Sequence, residues 1–387
     1  MIGEHPFRLV LNRAHGVPGI VTLPDGGFRR AKAEITSWPG YAPTPLLPLP
    51  EVAAEAGVAE VWYKDEGGRF GLGSFKALGG AYAVAQVLRQ ELARAGVADA
   101  ASSADLVAGR YAAATRAITV TCATDGNHGR SVAWGAQRFG AACVIFVHAG
   151  VSQGRRDAIA AYGAEVREVQ GTYDDSVRAA EQAAAEHGWH TISDTSWPGY
   201  TEVPRDVMQG YRVMVDEACD QLPGPPTHAF IQGGVGGVAA AVAAQLRSRY
   251  PDRAVTVVIA EPERAACLTD SLEAGEIRTV PGELDTLMAG LACGEPSLLA
   301  WQELSRSAWA AVAVPDAAAV EAMRDLAHRD PPIVAGESAV AGLCALVLAG
   351  RQPLASGMLW LRPDSRVLLF GTEGATDPEV YERLVNG

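Results

Sequence analysis

The sequence predicts an α/β protein of two domains, each a mainly parallel twisted sheet flanked by helices. Three observations predict it. Strand-like and helix-like runs alternate from Ala117 onward, and a glycine loop joins a strand to a helix at 232–238. The chain is also 387 residues long, and at about 150 residues per domain such a length suggests two or three lobes. The first series begins with Ala117–Cys122 as a strand, Gly129–Phe139 as a helix and Ala142–Val147 as a strand. Gln153–Tyr162 follows as a helix, Ala164–Val169 as a strand, Tyr173–His187 as a long Ala-rich helix and Trp189–Ser193 as a strand. Strands spaced by helices of this size indicate βαβ units and a parallel sheet. A second series holds the strand Ala229–Gln232, the helix Val238–Arg249 and the strand Val255–Ala260, and Val367–Phe370 reads as a last buried strand. The Ala-rich stretch around Gly96–Thr115 reads as a helical insertion or surface loop.

Composition narrows the function. The chain is 48% hydrophobic and 20% charged, with a formal net charge of −13. That balance argues against wrapping a polyanion, so no nucleic acid is expected. No run approaches the roughly 20 apolar residues of a membrane span, and the start lacks a secretory pattern, so the expectation is a cytoplasmic protein without a membrane partner. Cysteines 122, 143, 219, 267, 293 and 344 are scattered without a CxxC or a His/Cys cluster. This spacing predicts no metal site and gives no reason to invoke disulfides; the cysteines read as small core hydrophobes.

The loop Gly233-Gly234-Val235-Gly236-Gly237 runs from a strand into a helix. Its backbone N–H groups and the helix N-terminus suit a phosphate. Which phosphate stays open at this point. Gly234, Gly236 and Ala239 fit G-x-G-x-x-A, and Glu261 follows a strand about 25 residues on, as a dinucleotide fingerprint requires. An NAD-dependent oxidoreductase is therefore a competing reading.

Lysine usage points elsewhere. Of 32 basic residues only Lys32, Lys64 and Lys76 are lysines. A lysine kept where arginine is the default cation suggests an amine that must lose its proton. Lys64, inside Lys-Asp-Glu, reads as a structural ion pair, and Lys32, in Arg29-Arg30-Ala31-Lys32, as solvated. Lys76 sits where a glycine-rich loop enters a helix. A helix N-terminus and partial burial both disfavour an ammonium there. A neutral lysine beside a phosphate cradle suggests a Schiff base with pyridoxal 5′-phosphate.

The segments KDEGGRFGLGSFKALGGAY, ATDGNHGRSVAWGAQRFGA, TYDDSV, DTSWPGY…MQGY, LMAGLACGEPS, AGESAVAGL and GTEGATDP run in order from about Pro43 to the C-terminus. Together they resemble diaminopropionate ammonia-lyase, of the tryptophan-synthase-β-like (fold type II) pyridoxal-phosphate superfamily. The resemblance implies a discontinuous large cofactor-binding domain (1–85 and 214–387) and a small domain (86–213), with the active site in the cleft between them. It implies that Lys76 holds the cofactor and acts as a base at Cα, that Asn127 bonds the 3′-oxygen, that Gly233 to Gly237 bind the phosphate, and that Thr372 faces the pyridine nitrogen. Thr124, Asp125, His128 and Asp194 are the expected substrate contacts, with Asp125 and Asp194 also catalytic.

Asp125 stands where related dehydratases usually have a small or hydroxyl residue. A carboxylate there can receive the second ammonium of a diamino acid or take a proton from a D-configured Cα. Asp194 also reads as a helix or turn cap, and His128 as a loop histidine satisfied by backbone groups. Glu337 and Ser338 are expected near the cofactor edge or as caps. Tyr173, Asp174 and Asp175 are expected to begin the long helix. Two departures from the family pattern, Gly73-Ser74 and the extra glycines of the phosphate loop, leave room for a wider substrate pocket. The expected reaction is β-elimination of ammonia from 2,3-diaminopropionate by a homodimer. A serine/threonine-type dehydratase and a β-replacement synthase are the nearer alternatives; an NAD-dependent oxidoreductase and an inactive cofactor-binding relative are the farther ones.

Overall fold

A computed structural model describes residues 2–124 and 126–387. It holds eleven strands: β1 (Arg8–Leu11), β2 (Leu46–Pro48), β3 (Glu60–Asp65), β4 (Thr119–Ala123), β5 (Ala142–His148), β6 (Glu165–Val169), β7 (His190–Thr191), β8 (His228–Gln232), β9 (Thr256–Pro262), β10 (Ala310–Val314) and β11 (Arg366–Gly371). The chain divides into two compact units. One comprises residues up to Leu23 with Pro43–Ser74 and Met214–Gly387; the other comprises Pro24–Ala42 with Phe75–Val213. Among the described residues no helix is long and apolar enough to cross a membrane.

The first unit is built on a seven-stranded sheet in the order β1-β10-β9-β8-β11-β3-β2. Its five central strands are parallel, and β1 and β2 close the edges antiparallel. Strands covered on both faces need no polar alternation, and β8 and β10 are buried at every residue. Phe230, Val258, Val312, Val367 and Leu369 join Leu346, from the helix Ala341–Arg351, in one core. The register sets Gly371 opposite Asp65, Leu369 opposite Phe230, and Gln232 opposite Ala260. The loops after β3, β11, β8 and β9 therefore emerge together at the carboxyl ends of parallel strands, where open α/β sheets bind ligands.

The second unit holds a parallel four-stranded sheet, β6-β5-β4-β7. Its helix Lys76–Arg94 packs on the helix Asn127–Phe139 through small residues. A Cβ on Gly135 would lie 2.7 Å from Ala81 Cα, and one on Gly210 would lie 2.0 Å from the Leu78 carbonyl oxygen. Only glycine permits these backbone approaches. Because Gly79, Gly80 and Ala81 pack this tightly on Tyr211, Ser131 and Gly135, the whole Lys76–Arg94 helix groups with the second unit. The division between the two units falls at Ser74/Phe75, and Pro24–Ala42 groups with the second unit.

The long helix is Tyr173–His187, started by a Thr172–Asp175 capping box. The Ala-rich stretch forms two short helices, Ser103–Val107 and Ala112–Thr115. The strand expected at Trp189–Ser193 shortens to β7: the Ile192 N–H still donates to the Thr121 carbonyl of β4 (2.8 Å), and the chain from Ser193 on is tied to Tyr200. The Tyr200 hydroxyl donates to the Thr191 carbonyl (2.7 Å) and accepts from the Ser193 N–H (3.1 Å).

Candidate active site

In the first unit, the turn after β8 is shaped by backbone alone. Gly234 and Gly236 have φ of +59° and +94°, a region that side chains disfavour. The Gly233 N–H donates to the Ala260 carbonyl (2.9 Å) and the Gly236 N–H to the Gly233 carbonyl (3.1 Å). A Cβ on Gly233 would stand 2.7 Å from Glu261 Cγ, so the turn lies directly against that side chain. The helix Gly237–Arg249 starts here, and the N–H groups of its first turn lack intrahelical partners by helix geometry. This cradle fits a phosphate.

Glu261 does not serve as a ribose acceptor. It is fully buried, and its carboxylate accepts from the N–H groups of Leu268 (3.1 Å) and Thr269 (2.7 Å) and from the Thr269 hydroxyl (2.7 Å). Its oxygens tie down the start of the helix Cys267–Ala274 beneath the turn. Burial outweighs these bonds and pushes its carboxyl up to about 7. The dinucleotide reading loses the acid it requires.

Thr372 follows β11 and is buried. Next to it, the Glu373 carboxylate accepts the Ser338 N–H (3.2 Å), and the Ser338 hydroxyl accepts the Gly290 N–H (3.0 Å). Glu337 and Ser338 lie in the turn before the helix Ala341–Arg351. The Gly374 N–H donates to the Gly73 carbonyl (2.9 Å), and Ser74 bridges to Glu373. The unexpected Gly73-Ser74 pair thus lets the 66–74 loop lie flat against the Thr372–Gly374 turn, with Gly73 at φ +78°.

Beneath that loop Lys64, Glu66, Arg69 and Glu217 form a buried ionic cluster. Arg69 bonds Glu66 (2.8 Å) and Glu217 (2.7 Å), and Lys64 bonds Glu217 (2.9 Å), the Thr44 carbonyl (2.8 Å) and Gln221 (2.8 Å). Burial lowers the Lys64 amine against the pull of Glu217 and Glu66. Burial raises the Glu217 carboxyl, but Arg69 and Lys64 together hold it below its ordinary value. Lys64 is the structural ion pair that its Lys-Asp-Glu context suggests.

In the second unit, Lys76 is the first residue of its helix. Its Nζ lies 2.6 Å from Asp194 Oδ2, so its immediate partner is a carboxylate. Burial raises the Asp194 carboxyl, but the charges of Lys76 and His128 and the Lys76 hydrogen bond hold it well below the usual carboxylate range. Asp194 does not cap a helix; it lies at a bend near the start of the 192–201 segment that joins β7 to the helix Glu202–Gln221. His128 is buried, with Nε2 2.7 Å from the Ile192 carbonyl oxygen and Nδ1 3.8 Å from Asp194 Oδ2. Burial lowers its imidazole, and Asp194 partly restores it. Backbone groups alone do not satisfy it: Nδ1 has no hydrogen-bond partner among the described residues.

Asn127 is half-buried at the first position of its helix. The Thr124 hydroxyl accepts the N–H groups of Gly126 (3.0 Å) and Gly129 (3.1 Å), so it braces the loop from inside. Asp125 lies outside the described residues. The second unit thus gathers Lys76, His128 and Asp194, with Asn127 preceding His128 at the start of its helix; the first holds Gly233 to Gly237 after β8 and Thr372 after the adjoining β11.

Sequence reasoning missed three supports. The Ser131 hydroxyl donates to the Lys76 carbonyl (2.7 Å) and accepts the Ala81 N–H (3.2 Å). Phe75 packs on Tyr211 with centroids 4.6 Å apart, and the Lys76 amine stands 5.3 Å and 5.7 Å from the two ring centroids. Tyr211 falls within the MQGY segment, but no spacing rule links it to Lys76 across so many residues.

An amine facing a carboxylate at a helix start, and a glycine cradle at the strand ends, fit pyridoxal phosphate. A model of pyridoxal-phosphate dependent enzymes matches residues 37–364. Diaminopropionate ammonia-lyase of Escherichia coli (strain K12) is 40% identical over 359 residues, covering 89% of this chain and 88% of that one. The chain belongs to the diaminopropionate ammonia-lyase family. The crystal structure of the holo E. coli diaminopropionate ammonia lyase matches with a TM-score of 0.91 at 36% identity, covering 100% of this chain and 98% of that one. The same enzyme in complex with an aminoacrylate-PLP azomethine reaction intermediate gives 0.88 at 35% identity, over 100% and 98% of the two chains. Membership of the diaminopropionate ammonia-lyase family makes this protein a pyridoxal-phosphate-dependent carbon–nitrogen lyase with a fold type II architecture.

Proposed function

We propose that the chain converts 2,3-diaminopropionate to pyruvate and two ammonia by β-elimination. The reading rests on one observation above the others, the Lys76 amine 2.6 Å from Asp194 at the head of its helix. Bound pyridoxal phosphate supplies an electron sink for the pair left on Cα when its proton departs. Lys76 holds the cofactor covalently and, once free, takes that proton as a general base. Asn127 bonds the cofactor's 3′-oxygen, and the N–H groups of Gly233, Gly234, Val235, Gly236 and Gly237 bind its phosphate. Thr372 offers the pyridine nitrogen a neutral hydroxyl, which does not hold a proton there and so favours elimination over transamination.

Asp125 and Asp194 receive the amino groups of a dicationic substrate or take a proton from a D-configured Cα. Thr124 and His128 shape the same side. Family membership also supports a homodimer in the cytoplasm, which sedimentation and cell fractionation test.

The decisive experiment is borohydride trapping followed by peptide mass mapping. The added mass belongs on Lys76, with loss of an absorbance band near about 410 nm; mass elsewhere, or none, ends the reading. Ammonia release from 2,3-diaminopropionate should exceed that from serine and threonine. Asp125→Asn should lose activity on at least one of the D- and L-isomers, and full activity on both would remove its role.

A further inference from the structure

A buried imidazole nitrogen without a hydrogen-bond partner among the described residues, 3.8 Å from a carboxylate that already holds an ammonium, is an incomplete proton chain. Nε2 of His128 is fixed on the Ile192 carbonyl at 2.7 Å, which leaves Nδ1 as the free end. Nδ1 lies 3.8 Å from Asp194 Oδ2, and that same oxygen lies 2.6 Å from Lys76 Nζ. With Nε2–H donating to the carbonyl, a neutral ring turns an unprotonated nitrogen toward the carboxylate. Only a protonated Nδ1 makes that contact attractive.

We propose that His128 is the proton store for Lys76. The Lys76 ammonium gives its proton to Asp194 Oδ2, and the carboxyl passes it to His128 Nδ1. One proton moves from nitrogen to nitrogen, the carboxylate is restored, and a neutral amine faces a carboxylate and an imidazolium. This rests on Lys76 being the cofactor's lysine, since that role needs an uncharged amine. It also explains how part-buried Asp194 keeps a cationic partner in both states, which a carboxylate withdrawn from water requires.

Among the described residues, three further groups face this trio: Tyr200 beyond Asp194, Cys122 on β4 and Tyr211 on the helix Glu202–Gln221. Burial pushes Tyr200, Tyr211 and Cys122 up, so all three stay neutral near pH 7. The mobile proton is left to Lys76, Asp194 and His128. His128 acts through Asp194 and is a positioning residue.

The test uses the cofactor-stripped full chain with ¹⁵N-labelled histidine, the ring of residue 128 being assigned by its loss in His128→Gln. In the parent this ring should titrate below its ordinary range. In Lys76→Ala it should titrate at least about one pH unit higher, because Asp194 then has no other cation. Lys76→Ala combined with Asp194→Asn should cancel the rise. An unchanged titration in Lys76→Ala overturns the proposal.

Uptake of pyridoxal phosphate gives a second measurement. His128→Gln should slow uptake about tenfold at pH 7 and recover it by about pH 9, since the proton must then leave to water; a parent-like pH profile also overturns the proposal. If His128→Gln does not fold, the Lys76→Ala titration decides alone. Borohydride-stable cofactor in Lys76→Ala would instead refute the lysine assignment, an outcome the ring titration does not share.

Discussion

The glycine turn after β8 and the lysine cluster at the head of its helix solve different physical problems. The turn is shaped by backbone: its geometry comes from two positive φ angles and from close contact with the Glu261 side chain. The lysine cluster binds with side chains whose charges depend on one another, Lys76 on Asp194 and Asp194 on His128. A side chain added at a glycine of the turn should therefore act by sterics. The lysine cluster should fail by charge, with pH as its variable.

The largest expected effect tests the charged side. Asp194→Asn removes the partner of Lys76 and should lower kcat by about 10²- to 10³-fold, the range for a displaced acid–base group. Its pH profile should change shape, which steady-state assays across pH 6 to 9 will show. A profile of unchanged shape would deny the coupling.

The next effect lies beneath the turn. Burial pushes the Glu261 carboxyl up to about 7, above an ordinary carboxyl, so the folded state binds more protons than the unfolded one between these values. Stability should then fall as pH rises from about 4.5 to about 7, by up to about 3 kcal/mol at roughly 1.4 kcal/mol per unit, and level off above. Urea unfolding across that window should show this slope in the parent and lose it in Glu261→Gln. The smallest effect is steric. Gly236→Ala forces a side chain into φ +94° and sets its Cβ 3.0 Å from Ala300 Cβ. It should weaken cofactor affinity about tenfold, from about 1–2 kcal/mol of backbone strain. Fluorescence titration with pyridoxal phosphate should give the same ratio at pH 6.5 and pH 8.5, and a pH-dependent ratio would erase the contrast between the two regions.

The same contrast explains what could be read from sequence. Central strands such as β5, β8 and β11 were legible because parallel strands covered on both faces are continuous apolar runs. The edge strands β1 and β2 were not: they are short and partly exposed, and they pair with distant segments. The strand β3 runs into the charged Lys64-Asp65-Glu66 triplet, where charge masks its burial. Local chemistry gave Lys76 and the glycine turn, because each sits at a strand-to-helix or loop-to-helix junction. The Asp194 contact joins residues 118 positions apart; spacing carries no trace of it, and only the family motif suggested the residue. The Ser131 brace and the Tyr211 ring were illegible for the same reason. Glu261 misled, because its position fits a ribose acceptor while its burial does not.

The near absence of lysine has a practical consequence. Lys64 is fully enclosed by its ionic cluster, Lys32 is half-buried on its helix, and Lys76 is one-fifth exposed. Acylating reagents applied to the native protein should pass over Lys64 and divide between the other two side-chain amines. Chemical footprinting can therefore follow the state of the Lys76 amine directly, and with it the occupancy of the site proposed for that lysine, without mutation or an inhibitor.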